Sequence, residues 1–346
     1  MRENGIQSVS YRTLMGLAAF IVVVAGMRAA QAMIVPFLLS VFIAIICTPL
    51  LTWLQNKRLP VWLSLLLVIV GVVGASFVVI ALVGGAIDGF SQALPVYQEK
   101  LSQLTVRIVD WMAGMGLVLS SETFEEIFNP SSAMSLVSVM LKGLGGVFTN
   151  TMLILLTVIF ILLEVSTFSG KLREASGVHA MTLDNVQAMV ENVKRYMGIK
   201  TMTSLLTGVI ISIILMFLGV DFPLLWGFLA FLLNFIPNIG SIIAAVPAIL
   251  VSLLEMGVGS AVAVTVLYLV VNMGVGSMLE PRLMGNKLGL SPLVVFVSLV
   301  FWGWVLGPVG MFLSVPLTIA VQIALSSDED SRWIAVLLGP GVKEVE

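Results

Sequence analysis

The sequence predicts an all-α polytopic membrane protein of about six transmembrane helices plus two re-entrant helical hairpins of opposite orientation. Three observations carry this. First, 59% of the 346 residues are hydrophobic and 10% are charged, against roughly 45–50% and 25% in soluble domains. Mean hydropathy is +1.11. Second, uncharged stretches near the ~20 residues needed to cross a bilayer recur along the chain. Third, two of these runs are too long for one crossing and are broken internally by Gly and Pro.

Taken in order, the uncharged stretches are Thr13 to Met27, Ala29 to Asn56, Leu59 to Ile87, Gly143 to Leu163, Thr201 to Val220, Phe222 to Leu254, Met256 to Leu279 and Leu288 to Ser327. Met27-Arg28 is not a small-residue cleavage site and another apolar stretch follows at once, so the first run reads as a retained helix. The charges between runs set the orientation. Residues 164–200 hold five Lys/Arg, whereas residues 88–142 hold three among six acids, which places the former in the cytoplasm. Both termini and the Lys57-Arg58 turn then fall inside, the turn bracketed by Trp53 and Trp62 as interfacial aromatics. Arg28 falls outside at the first hairpin tip and is expected to snorkel.

The segments divide as follows: N-terminal transmembrane helices at 1–87, an extracytoplasmic amphipathic helical segment at 88–142, the fourth transmembrane helix with a cytoplasmic amphipathic linker at 143–200, a core at 201–327 containing the broken runs 222–254 and 288–327, and a cytoplasmic tail at 328–346. In the outer segment Leu94, Tyr97, Leu101, Leu104, Ile108, Trp111 and Met115 form a heptad stripe. It packs on its own chain's membrane face or forms a subunit contact. Asn129-Pro130 reads as an N-cap and N1 pair. Val186, Met189, Val190, Val193 and Met197 make an apolar helix face leading into the fifth crossing.

The broken runs match each other at an offset of 69: Pro223 falls on Pro292 and Pro247 on Pro316, each pair 24 residues apart. Removing the central Gly/Pro turn from each leaves two half-length helices. These would enter from opposite faces, as an inverted repeat requires. Unwound backbone at membrane depth is tolerated only where protein or a water-filled cavity satisfies it, so the breaks point to a transport site. The alternative is that Gly and Pro only kink and closely pack ordinary helices.

Other functions find little support. A net charge of −2 offers no basic surface for nucleic acid. No Walker glycine loop, H-E-x-x-H or G-x-S-x-G is present, so no cofactor and no enzyme activity is expected. A single cysteine, Cys47, rules out an intramolecular disulfide. His179 lies in a polar linker and reads as solvated.

"NFIPNIGS" (Asn234 to Ser241), "LEPRLMG" (Leu279 to Gly285) and "GLSPLVVFVSLVFWGWVLGPVGMFLSVPLT" (Gly289 to Thr318) resemble the signature stretches of the autoinducer-2 exporter family, also called PerM-like transporters. That resemblance covers nearly the full chain. It implies export of the quorum-sensing signal autoinducer-2 from a bacterial inner membrane by a homo-oligomer, a pentamer. Other branches of the family resemble sodium or lithium/proton antiporters, and both readings stand at this point.

A small polyhydroxylated signal molecule calls for neutral donors and acceptors. Asn234, Pro237, Asn238, Gly240 and Ser241 at the first break and Gly307, Pro308 and Gly310 at the second are the candidate substrate-binding residues. The asparagines either bind substrate or cap their own helix ends. Asn272, between helices eased together by Gly274 and Gly276, is a further candidate or an interhelical hydrogen-bonding residue. Glu280 and Arg282 either couple transport to protons or sodium, or form an interfacial ion pair. Membrane lipids and the small polar molecule are the expected partners.

Overall fold

The computed structural model describes residues 3–115, 150–175, 180–237, 239–284, 290–326 and 331–339, with side chains from Leu14 onward except at 165–190. The sequence readings at 116–142, including Asn129-Pro130, and at His179 and Asn238 lie outside the described residues.

The described residues form α1 (Glu3–Ala29), α2 (Gln31–Asn56), α3 (Val61–Gly114), α4 (Thr151–Ala175), α5 (Ala180–Leu218), α6 (Pro223–Leu233), α7 (Gly240–Met256), α8 (Val258–Val271), a π-helical stretch (Asn272–Leu279), α9 (Glu280–Met284), α10 (Pro292–Ser326) and α11 (Arg332–Leu338). There is no strand among them. Five stretches are long and apolar enough to cross a membrane: Gln31–Asn56, Val61–Gly114, Glu191–Leu218, Val258–Met284 and Pro292–Ser326. The chain is a multi-pass membrane protein.

The solvent this fold expects is legible in α5. From Met202 to Leu218 its exposed side chains are apolar, among them Met202, Leu205, Ile213 and Phe217, while Lys200, Thr203, Ser204 and Thr207 are buried. In water that arrangement would be inverted. Hydrocarbon rewards it, because the polar groups then find partners inside the protein.

Two element boundaries differ from the sequence reading. The third apolar run does not end at Asp88; α3 continues for 54 residues through Pro95, about 80 Å of helix. A charge marks where a helix can leave hydrocarbon, not where its backbone bonds stop, and Pro95 removes only one of those bonds. Likewise the amphipathic linker helix and the fifth crossing are one helix, α5.

The residues group into two compact units, one of 1–45, 156–189 and 289–346 and the other of 46–155 and 190–288. In the second unit, Phe90 of α3 is 1% exposed and gathers Tyr97, Phe222 and Trp226 around it at centroid distances of 5.8, 5.8 and 5.2 Å. Gly89 leaves room for the Phe222 ring against the α3 backbone. Phe222 itself adopts a left-handed φ of 57° just before Pro223, a conformation the aromatic cluster holds in place. The heptad stripe on α3 is split: Tyr97 and Leu101 are buried in this core with Leu94 and Leu104 against it, while Ile108, Trp111 and Met115 are exposed.

In the first unit, Val24 of α1 packs with Trp302, Val305 and Leu306 of α10, with Ile34, Val35 and Leu38 of α2 beside them. Helix α10 reverses direction at Gly307 (φ 69°, ψ −154°). The two arms meet where Trp302 Nε1 donates to Thr318 Oγ1. At the far end Ser291 N–H bonds Leu338 O and Gln322 bonds Ala335 O, securing α11.

Candidate functional site

One face of α5 carries Lys200, Thr203, Ser204 and Thr207 at helical spacings of three and four, which puts them in one stripe. All four are buried, the threonine and serine at 203 and 204 completely. Lys200 Nζ donates to both carboxylate oxygens of Glu280 at 2.8 and 2.9 Å. One turn further, Ser204 Oγ accepts from Asn234 Nδ2 at 2.9 Å. The Thr203 hydroxyl donates back to Lys200 O at 3.1 Å. Thr201 Oγ1 is buried with no hydrogen-bond partner. Glu280, from the end of the π-helical stretch, and Asn234, from the turn after α6, therefore meet the same helix face one turn apart.

The stripe continues into a backbone crossing. A Cβ added to Gly208 would lie 2.7 Å from Gly227 O, and one added to Gly227 would lie 2.6 Å from Gly208 O and collide with the Ser212 hydroxyl. Ser204, Gly208 and Ser212 follow a small-xxx-small pattern that lets α5 and α6 touch main chain to main chain. This fixes α6, and with it Asn234, against α5.

The turn joining α6 to α7 satisfies itself. Asn234, Phe235, Ile236, Ile239 and Gly240 donate their N–H groups to nearby carbonyls within the same segment, so an irregular stretch is tolerated away from water. At its other end the α6–α7 pair closes through two acids. Tyr97 Oη lies 3.1 Å from Asp221 Oδ2 and 2.6 Å from Glu255 Oε1, and Asp221 N–H donates to Glu255 Oε2 at 3.3 Å. Asp221 and Glu255 flank the apolar run, and their meeting shows that α7 returns alongside α6. Burial and then the hydrogen bonding with Asp221 push the Glu255 carboxyl above its ordinary range.

The break in α10 repeats the local geometry of the first. A Cβ on Gly240 would collide with Leu233 O and crowd Ile236 Cβ; on Gly310 it would collide with Trp302 O and crowd Leu306 Cβ. Leu233 and Trp302 are 69 positions apart, the offset of the proline match, while Ile236 and Leu306, and Gly240 and Gly310, are 70 apart, so the second turn carries one extra residue. Around the second break, Gln31 Nε2 lies 2.9 Å from where a Gly307 Cβ would be, and the Arg28 guanidinium sits 4.6 Å over the Trp304 ring. Arg28 thus finds an aromatic face. Ser314 Oγ, on the returning arm, is buried without a partner.

Residues 17–327 match the family model described as AI-2E family transporter. The chain belongs to the AI-2E transporter family. Among relatives, this family member is 43% identical over 335 residues to a Haemophilus influenzae protein named "Putative transport protein", covering 95% of this chain and 96% of that one. It is 39% identical over 328 residues to the Escherichia coli K12 protein named AI-2 transport protein TqsA, covering 95% of each chain. A Bacillus subtilis relative, YrrI, is 23% identical over 309 residues, covering 84% of this chain and 85% of that one.

Within this AI-2E family member the sequence-predicted residues separate into two groups. Asn234, Pro237, Gly240 and Ser241 lie at the first break with Glu280 and Asn272 in the same unit; Gly307, Pro308 and Gly310 lie at the second break in the other unit. Asn234 serves α5 rather than capping its own helix. Asn272 folds its amide oxygen over Gly276, 3.0 Å from where a Cβ would stand. Glu280 pairs with Lys200, while Arg282 is exposed. Sequence reasoning missed Lys200, Ser204 and Gly208. The signal was present: a polar stripe at i, i+3, i+4 and i+7 leading into the apolar part of α5, continued by a glycine and a serine at fourfold spacing.

Proposed function

We propose that this AI-2E family member exports autoinducer-2 or a similar small polar signal molecule across a bacterial inner membrane. The observation that carries the reading is full-length similarity to TqsA, at 39% identity, a protein named for AI-2 transport. The two broken helices support it: α6 and α7, and the arms of α10, are read as re-entrant hairpins entering from opposite faces. Asn234, Asn238 and Ser241 at the first break and, separately, the Gly307–Gly310 turn at the second are each proposed as substrate contacts, with neutral groups suited to a polyhydroxylated ligand. Export proceeds by alternating access, with both termini cytoplasmic and Glu280 taking the coupling proton. The protein works as a homo-oligomer, a pentamer. A second reading, sodium or lithium/proton exchange on the same scaffold, is favoured by one observation, the Lys200–Glu280 ion pair, its lysine buried and its carboxylate partly so.

Inside-out membrane vesicles test both. Under an imposed proton gradient, autoinducer-2 uptake that depends on this protein, with a flat sodium-induced proton-flux trace, supports export. Proton flux on adding sodium with no signal uptake supports the exchanger and removes the export reading.

A further inference from the structure

The π-helical stretch Asn272–Leu279 is eight residues long, whereas π geometry is rare, mostly confined to single turns, and frequent at functional sites. At its end Glu280 N–H bonds Val275 O, five residues back. The side chain of that same residue is the one Lys200 grips at 2.8 and 2.9 Å. Inside the stretch Gly274 has open space around it and Gly276 is covered by the amide of Asn272. Wide helical turns, two glycines and a partly buried ion pair at the boundary are thus stacked in one short segment.

We propose that this stretch is the moving joint of the transporter and that Lys200 is the latch that holds it in its present register. Turning a π stretch into α-helix tightens it by one residue. Everything that follows advances by about 1.5 Å and rotates by about 100°. That rotation carries the Glu280 carboxylate away from Lys200. While the pair is intact, leaving it would strand two charges away from water, a cost of several kcal/mol in general, so the π register is held. A proton on Glu280 removes the carboxylate charge, and the pair no longer opposes the rotation. Tyr196, one turn earlier on α5, is buried and within electrostatic reach of Glu280; Arg282 is exposed on α9. The inference rests on the transporter reading, in which Glu280 accepts the coupling proton.

The test uses the full-length protein in detergent with Cys47 replaced by serine and single cysteines placed at Met278, which is 54% exposed, and Met284, which is 8% exposed. Maleimide labelling is expected to be fast at 278 and slow at 284. In Glu280→Gln and in Lys200→Met backgrounds, labelling at 284 rises at least tenfold and labelling at 278 slows. Lys200→Arg, which keeps charge and a two-point grip, retains the starting pattern. An unchanged pattern in both Glu280→Gln and Lys200→Met overturns the proposal. Hydrogen exchange on the unmodified protein provides a reading free of folding defects: amides of 272–279 exchange at least tenfold faster than those of α8, and equal protection overturns the proposal. Neither readout needs transport. Labelling changes without autoinducer-2 uptake in vesicles would remove the export reading and leave the joint standing, and the reverse would do the opposite.

Discussion

Trp302 donates its indole N–H to Thr318 at 3.0 Å, although sixteen residues of straight helix would set them about 24 Å apart. The contact exists because Gly307 takes φ 69°, ψ −154°, a region essentially reserved for glycine. Gly307→Val is expected to cost about 1–3 kcal/mol in strain, with further crowding from Gln31. Its melting temperature in detergent falls well below that of a control substitution at exposed Val300, and transport is lost. A Val variant that melts like the parent protein would show that the reversal does not depend on this dihedral.

For the ion pair the expectation is asymmetric. Lys200→Met alone strands Glu280 and destabilises by about 3–5 kcal/mol, whereas Lys200→Met with Glu280→Met recovers most of the loss. A double-mutant cycle on thermal unfolding in detergent checks this. Additive losses would mean that the two side chains do not depend on each other.

Asn234 and Ser204 can be separated by transport. Ser204→Ala leaves the Asn234 amide available to a substrate, whereas Asn234→Ala removes it. Autoinducer-2 uptake in vesicles is expected to fall about tenfold in Asn234→Ala, equivalent to about 1.4 kcal/mol, and less in Ser204→Ala. Equal losses would assign Asn234 a purely structural role.

The clasp of Tyr97, Asp221 and Glu255 gives a pH dependence with a definite sign. Burial raises the Glu255 carboxyl, so the folded protein holds its proton more tightly than the unfolded chain does. That contribution to stability is complete below the unfolded value of about 4.3 and is lost as pH rises through the folded value. Melting temperature in detergent therefore declines across that window. Glu255→Gln, which keeps an oxygen to accept from Tyr97, flattens the decline; a profile identical to the parent protein would refute the assignment.

Much of this was legible in the sequence, and what was not has a physical reason. The apolar runs and their Gly/Pro breaks announced a helical membrane protein, because hydrocarbon leaves the backbone few alternatives. Leu233 and Trp302 keep the proline offset of 69 visible in the primary structure, whereas Gly240 and Gly310 are 70 apart, so the second turn is one residue longer than the first. Lys200 escaped because charges served as the borders of membrane runs, so the rule that located the fifth run, beginning at Thr201, also placed the lysine outside it. The unbroken course of α3 escaped for the same reason at Asp88. The π-helical stretch leaves no composition mark beyond Gly274 and Gly276, since π and α geometry draw on the same apolar residues.

Helix α3 has a mechanical consequence. It is roughly 80 Å long, more than twice the thickness of a bilayer's hydrocarbon core, and it grips the α6–α7 mouth through Phe90 and Tyr97. The stretch from Tyr97 to Trp111 is therefore a lever arm whose fulcrum lies at that mouth. A tilt of about 10° at the grip sweeps the Trp111 end through about 4 Å over an arm of about 21 Å. Displacement at the end of the α6–α7 pair is thereby amplified along α3, where a probe on Trp111 would register it.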